Sequence, residues 1–381
     1  MPWVTLRHFV WSERTTAKGT TEVAGISRGR ANARLLVDVA ELIYVNALAP
    51  AGATAVKYST RVHELALITT YLSIRSDDAL VLNGVDFKSS SAHIKRLVAE
   101  SFGLGMLTAT VEALHRRAPK GGLHNFDALP VALARAYARS GPRPDLLFEF
   151  GGDTLAGESR GRSRPAPARP QREQREKLDS LIRWSLRHHD HGVVMTYAYL
   201  TSQGVTVDLY TRPGQASWLP GDFGTSPPGA DEDDLLFVSE SQAEMLVEAD
   251  PRRAVLPSTR PPVPPDPVSP GQLLRSARQN LDEVSEELYL TAPARDVRFA
   301  GQDLRGHWVP ADVLGLAPGA LLLGLVRQGF SARDGARLTA VLRERGRLTA
   351  TVRDRLVIAY APDENEQPWH LLRDFGWRGR D

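Results

Sequence analysis

Pro144-Asp145-Leu146-Leu147-Phe148-Glu149-Phe150-Gly151-Gly152-Asp153-Thr154-Leu155-Ala156-Gly157-Glu158-Ser159-Arg160-Gly161 is the stretch on which the fold turns. Residues 144–150 read as a short strand, with Asp145 at its beginning. Gly151-Gly152-Asp153 is a hairpin turn signal, because glycine reaches positive φ without a steric cost. Residues 154–160 then return as a second strand. Residues two apart on a strand share a face, so Glu158 and Arg160 point together. The hairpin brings Asp145 onto the neighbouring strand, where it can join them.

The flanks extend the pattern. Residues 126–140 read as a helix ended by Gly141-Pro142. After the hairpin, residues 171–189 form an amphipathic helix with Leu178, Leu181, Ile182, Trp184 and Leu186 among charged residues. Residues 193–200 and 205–210 are β-rich runs around Ser202-Gln203-Gly204. Helix, strand, strand, helix, strand, strand is an α/β (α+β) order, a central mixed sheet flanked by helices.

Two carboxylates converging at a sheet edge are hard oxygen ligands, suited to Mg²⁺ or Mn²⁺. Such an ion polarises a phosphoryl oxygen and lowers the pKa of bound water. A cation beside the carboxylates orients that water or stabilises charge developing on phosphorus.

Pro144-Asp145, a glycine turn and Glu158-Ser159-Arg160-Gly161 together resemble the PD-(D/E)xK restriction-endonuclease-like superfamily. Its core is a helix, a strand hairpin carrying the acidic residues, then a helix and further strands. The resemblance covers residues 126–210. It implies that Asp145, Glu158 and the main-chain carbonyl of Ser159 hold the divalent metal, with Asp145, Glu158 and Arg160 as the catalytic set. It also implies a glutamine on the following helix, a place open to Gln171 or Gln174. The sequence departs from the pattern where lysine is expected, since Arg160 stands there. A guanidinium stays protonated and cannot serve as a base, although it can bind phosphate or orient water. An upstream glutamate used by some members has no clear match, with none in residues 126–140 and Glu112 in an earlier helix.

Arg160, Arg162, Arg164, Arg169, Arg172 and Arg175 follow the second strand, interleaved with prolines. Arg162 and Arg164, with Gln171 and Gln174, are the candidate nucleic-acid contacts, an extended arm placed to meet phosphates near the metal. The alternative is a solvated loop that reflects biased coding, because arginine greatly outnumbers lysine throughout. His188-His189-Asp190-His191 reads as a helix end, where histidines complement the dipole, rather than a metal cluster. Gly103-Leu104-Gly105 lacks the third glycine and preceding strand of a dinucleotide loop and reads as a helix break.

Composition bounds the rest. The chain has 381 residues, enough for two or three compact units. It has no cysteine, which excludes disulfide scaffolds, thiolate metal sites and cysteine nucleophiles. A net charge of +2 makes it no polycation, so nucleic-acid affinity must come from local patches. The most apolar window, residues 313–326, is broken by glycines and proline and is too short for a bilayer, so a cytoplasmic protein without a membrane segment is expected. The N-terminus has no signal-peptide pattern.

The expected organisation is a mixed, mainly helical region over 1–125, a nuclease-like core over 126–256, a Pro-rich linker over 257–271, and a separate α+β module over 272–381. In the first region, residues 30–47, 92–101 and 106–117 read as helices, and 63–74 as either strand or buried helix. In the last, residues 296–299, 321–326, 348–352 and 356–360 read as strands and 332–345 as a helix. The leading functional expectation is metal-dependent hydrolysis of DNA phosphodiesters, in restriction, repair or defence. The alternative is a catalytically inactive nuclease fold that binds DNA or a protein partner. A homodimer, or a protein partner on the C-terminal module, are the assemblies left open.

Overall fold

The computed structural model describes residues 2–17, 19–48, 57–114, 120–125, 144–150, 153–188, 192–213, 270–311, 319–344 and 349–361, with Trp369 and Leu372. Its centre is a seven-stranded mixed sheet. The strands are β1 (Trp3–Thr15), β2 (Thr21–Leu36), β5 (Lys120–Asn125), β6 (Leu146–Phe150), β7 (Asp153–Arg162), β8 (Gly192–Leu200) and β9 (Val205–Thr211). Their spatial order is β2-β1-β9-β8-β7-β6-β5. β7 runs parallel to β8 and β1 parallel to β9, while every other neighbour is antiparallel.

The opening stretch folds as its pattern requires. β6 pairs with β7 from Leu146↔Gly157 to Phe150↔Asp153, and the Asp145 amide donates to the Gly157 carbonyl at 2.8 Å. The connection from β7 to parallel β8 is helix α5 (Arg172–Arg187). Its buried residues include Leu178, Leu181, Ile182 and Trp184, as the periodicity predicts. Leu186, placed on that stripe by the sequence, is instead 46% exposed, since it lies past the edge of the contact face.

The N-terminal region departs from the mainly helical expectation. Residues 3–36 are the long hairpin of β1 and β2, and the helix expected over 30–47 starts only at α1 (Val39–Leu48). Residues 63–74 resolve into both alternatives, α2 (Tyr58–Thr70) followed by β3 (Leu72–Ile74), which pairs with β4 (Leu80–Leu82). A short α3 (Gly84–Ser89) follows. The expected break at Gly103-Leu104-Gly105 does not occur, because α4 (Ala92–Leu114) runs straight through it. A Cβ on Gly103 would sit 2.8 Å from the Gly161 amide nitrogen, and one on Gly105 would sit 2.5 Å from the Leu42 carbonyl. Those glycines let α4 lie directly on β7 and α1, so close approach rather than a turn explains them. By length and composition α4 could cross a bilayer, and 67% of that stretch is buried inside the molecule.

Alternation along the strands separates two apolar faces. Val4, Leu6, Val194, Ala198, Val207 and Leu209 pack under α1 and α4. Phe9, Trp11, Met195, Tyr197, Tyr199 and Tyr210 pack under α5.

The C-terminal region is α+β, as expected. Helix α6 (Pro270–Thr291) precedes a separate antiparallel sheet of β10 (Ala294–Phe299), β11 (Gln302–Ala311), β12 (Gly319–Phe330) and β13 (Thr349–Ala361), with α7 (Ala332–Glu344) before the last strand. The two short strands expected over 348–352 and 356–360 are one continuous β13. Pro270 and Gly271, assigned to the linker, open α6, where proline is favoured because its missing N–H has no intrahelical partner anyway. The rest of that linker, the helix at 126–140 and residues 189–191 lie outside the described residues.

This sheet shares an apolar cluster with α1, α2 and α4, through Val309, Leu321, Leu323 and Ile358. Its other face packs Trp308, Leu322 and Val357 against Leu338 and Leu342 of α7. Polar ties cross the same contact. The Tyr58 hydroxyl donates to the Leu323 carbonyl at 2.5 Å and accepts from the His307 amide at 2.6 Å. Arg343 pairs with Asp38, and Arg353 with Glu112. Trp369, partly buried, packs edge-on against Trp308, with ring centres 6.0 Å apart.

Candidate active site

The end of β7 and the residue that precedes β6 bring together the acidic pair of the sequence. Glu158 lies on the α5 face of the sheet and is 1% exposed, between β8 and the helix. Asp145 is at the mouth. One oxygen, Oδ2, accepts from the Ser159 amide at 2.8 Å and from the Ser159 hydroxyl at 3.3 Å. Arg160 spans the two acids: Nη2 is 2.8 Å from Glu158 Oε1 and Nη1 is 3.7 Å from Asp145 Oδ2. Nη1 also donates to the Ser159 carbonyl at 2.9 Å. Asp145, Glu158, Ser159 and Arg160 are therefore one cluster.

A fourth charged group in the cluster went unread in the sequence. Lys177 Nζ is 2.9 Å from the same Glu158 oxygen. It projects from α5, three residues after the buried Gln174 and one before the buried Leu178. A lysine within the apolar stripe of an amphipathic helix is the signal that could have revealed it. Arg160 reaches Glu158 from two residues along the same strand, whereas this amine reaches it from the helix.

Burial dominates the electrostatics of Glu158. Removal from water raises its pKa from the usual carboxylate range to about 7, and the nearby Asp145 charge adds to the rise. Arg160 and Lys177 pull it back down without restoring it. The site thus holds a carboxyl that changes protonation near neutrality, flanked by two cations and one further carboxylate. Such perturbed groups concentrate at functional sites.

The other sequence candidates have different fates. Gln174 is fully buried, its side-chain oxygen accepting from the Gln171 amide at 2.8 Å and its amide donating to the Tyr199 hydroxyl at 2.9 Å. With Gln171 it forms a reciprocal capping box at the start of α5. The expected nucleic-acid contact through Gln174 is corrected accordingly, because it presents no surface. Arg162 and Arg164 both pair with Glu173, and Arg162 also lies 5.8 Å from the centre of the Tyr197 ring. Arg172 pairs with Glu176, and Arg175 donates to the Val23 carbonyl at 2.6 Å. The arginine arm is partly offset by Glu173 and Glu176 of α5. His188 is buried against the Trp184 ring, a helix-end packing role.

Below the loop joining β7 to α5 lies a supporting ion pair. Arg7 grips buried Asp208 through two hydrogen bonds, 2.6 Å from Nε and 2.7 Å from Nη2, and also donates to the Pro167 carbonyl at 2.8 Å. That last bond fixes the loop leaving the site to strand β1.

Asp145, Glu158 and the Ser159 carbonyl supply hard oxygen donors, and the mutual repulsion of the two acids is the condition a divalent cation relieves. In kind, the donor set fits Mg²⁺ or Mn²⁺. Among the described residues no group of three or more His, Asp or Glu side chains gathers as ligands, so these two side chains and one carbonyl are the set in question. No protein-family model matches the chain, and comparisons with curated proteins and with solved structures found no match.

Proposed function

We propose that the protein is a metal-dependent nuclease that hydrolyses phosphodiester bonds in DNA, built on a restriction-endonuclease-like core. The observation that carries this reading is the meeting of Asp145, Glu158, Arg160 and Lys177 from β6, β7 and α5. The order of elements supports it. The β6-β7 hairpin, then helix α5, then strands β8 and β9 follow the order that the motif resemblance implies for the described part of residues 126–210.

Asp145, Glu158 and the Ser159 carbonyl would hold the ion. When bound, it supplies Lewis-acid polarisation of a phosphoryl oxygen and a more acidic water. Each residue of the chain has a separate task. Arg160, permanently charged, binds the phosphate and counters charge that develops on it. Lys177, 2.9 Å from the same Glu158 oxygen, is the second cation of the site and orients that carboxylate from α5. Glu158 carries its charge above pH 7, so metal occupancy and activity rise through neutrality.

A second reading is favoured by one specific feature. Two cations already balance two carboxylates, and Arg160 occupies the Ser159 carbonyl. A protein that binds DNA on this scaffold without cutting it would have such a site. Incubation with linear and circular DNA, with and without Mg²⁺ or Mn²⁺, separates the two. Cutting by wild type that is lost in Asp145→Asn and Glu158→Gln supports the nuclease. Retention of DNA without cutting, unaffected by EDTA, supports the second reading and overturns the first.

A further inference from the structure

Glu173 offsets one of the two charges of Arg162 and Arg164, and the sheet register places further positive charge on the same face. β2 is one of the two edge strands of the seven-stranded sheet. Residues 23–36 carry Arg28, Arg30 and Arg34 and no acidic residue. Partners directly opposite in a sheet share a face. One row runs Arg162–Tyr199–Thr206–Thr5–Arg34 across five strands. A second runs Glu158–Met195–Tyr210–Phe9–Arg28. Arg28 and Arg34 therefore occupy the same face as the candidate active site, four strand steps away, or about 19 Å at ~4.8 Å per step, with α5 packed over the Met195–Tyr210–Phe9 row between Glu158 and Arg28.

Both arginines are exposed. Arg34 is held 4.3 Å above the centre of the Trp3 ring, and Arg28 donates to the Asn32 side chain. Among the described residues no carboxylate lies within ion-pair distance of either. Arg7, between them and the site, is bound to Asp208 and contributes little net charge. This edge strand thus carries a cationic ridge ordered by a tryptophan and an asparagine, with Arg28 near enough to buried Asp208 to feel its charge.

We propose that the Arg28–Arg34 face of β2 anchors the phosphate backbone of duplex DNA whose cutting point lies at Glu158 and Arg160. This inference rests on the nuclease reading of that site. At 3.4 Å of rise per base pair, the separation corresponds to about five or six base pairs between anchor and site. A duplex ending closer than that on the β2 side misses the anchor.

The test is duplex binding by the full-length protein in EDTA, measured across a salt series for wild type, Arg28→Gln/Arg34→Gln and a charge-matched control, Arg327→Gln/Arg337→Gln. Loss of two phosphate contacts lowers the log–log salt slope by about 1.8. The affinity advantage of wild type over the double variant then shrinks about twelvefold between about 50 and about 200 mM salt, while the control keeps the wild-type slope. An Arg28→Gln/Arg34→Gln slope equal to wild type, or an equal loss in the control, overturns the anchor. So does edge-to-edge aggregation of the double variant with unchanged binding, which would make these arginines strand-edge protection. The two proposals fail separately. Wild type that binds with the expected slope and cuts nothing in Mg²⁺ removes the nuclease and keeps the anchor, whereas cutting with an unchanged slope removes the anchor alone.

Discussion

Replacing Glu158 with glutamine tests the electrostatics of the site through folding stability, independently of catalysis. In the folded protein this carboxyl titrates near pH 7, against an ordinary value of 4.5. A raised acid pKa means that the folded state holds the proton over a range in which the unfolded chain has released it. Stability contributed by this group therefore falls as pH climbs from about 4.5 to about 7, and the full penalty is present above that window. The displacement of roughly 2.5 pH units corresponds to about 3 kcal/mol at pH 8 and under about 1 kcal/mol at pH 5. Glutamine copies the shape of the protonated form and never ionises. Relative to wild type, Glu158→Gln is thus expected to be more stable at pH 8 than at pH 5, by between about 2 and about 3 kcal/mol. Denaturant unfolding at the two pH values, followed by tryptophan fluorescence, measures the difference. A variant whose relative stability is the same at both pH values, or lower at pH 8, would refute the claim that burial and Asp145 outweigh Arg160 and Lys177.

Other predictions follow from the same geometry. Gly161→Ala places a methyl group 1.6 Å from the Ala99 carbonyl oxygen, so α4 and β7 must separate; a loss of about 3 kcal/mol or more is expected in thermal or chemical unfolding. Arg7→Ala leaves the Asp208 carboxylate buried and unpaired and should cost about 3–5 kcal/mol, with Arg7→Ala/Asp208→Asn recovering much of it. Tyr58→Phe strips the Leu323 carbonyl and the His307 amide of their partner, an expected loss of about 1–3 kcal/mol measurable by urea unfolding. Lys177→Met should abolish cutting with little change in DNA affinity, and an unaltered cleavage rate would remove Lys177 from the chemistry.

The sequence disclosed the part of the fold whose signals are local. The run from β6 to β9 is legible because the glycine turn, the alternation of 154–160 and the helical spacing of Leu178, Leu181 and Ile182 each specify one element within a few residues. β2 was hidden because residues 24–34 are mostly glycine, alanine, serine and arginine, with no apolar alternation to mark a strand. Its register comes from pairing with β1. Gly103 and Gly105 misled for a related reason: they are selected by the backbone of β7 and α1, which are distant in sequence. The candidate site divides in the same way. Glu158 and Arg160 follow from strand period, and Asp145 from the hairpin. Lys177 and the neutralising Glu173 depend on how α5 is rolled against the sheet, which no spacing rule within the motif contains.

The most direct measurement is diffraction at the manganese absorption edge from crystals of the full chain soaked in Mn²⁺. An anomalous peak contacting Asp145, Glu158 and the Ser159 carbonyl is expected, with the Arg160 guanidinium withdrawn from that carbonyl. A site without a peak, with Arg160 still bonded to Ser159 and Glu158, would contradict it.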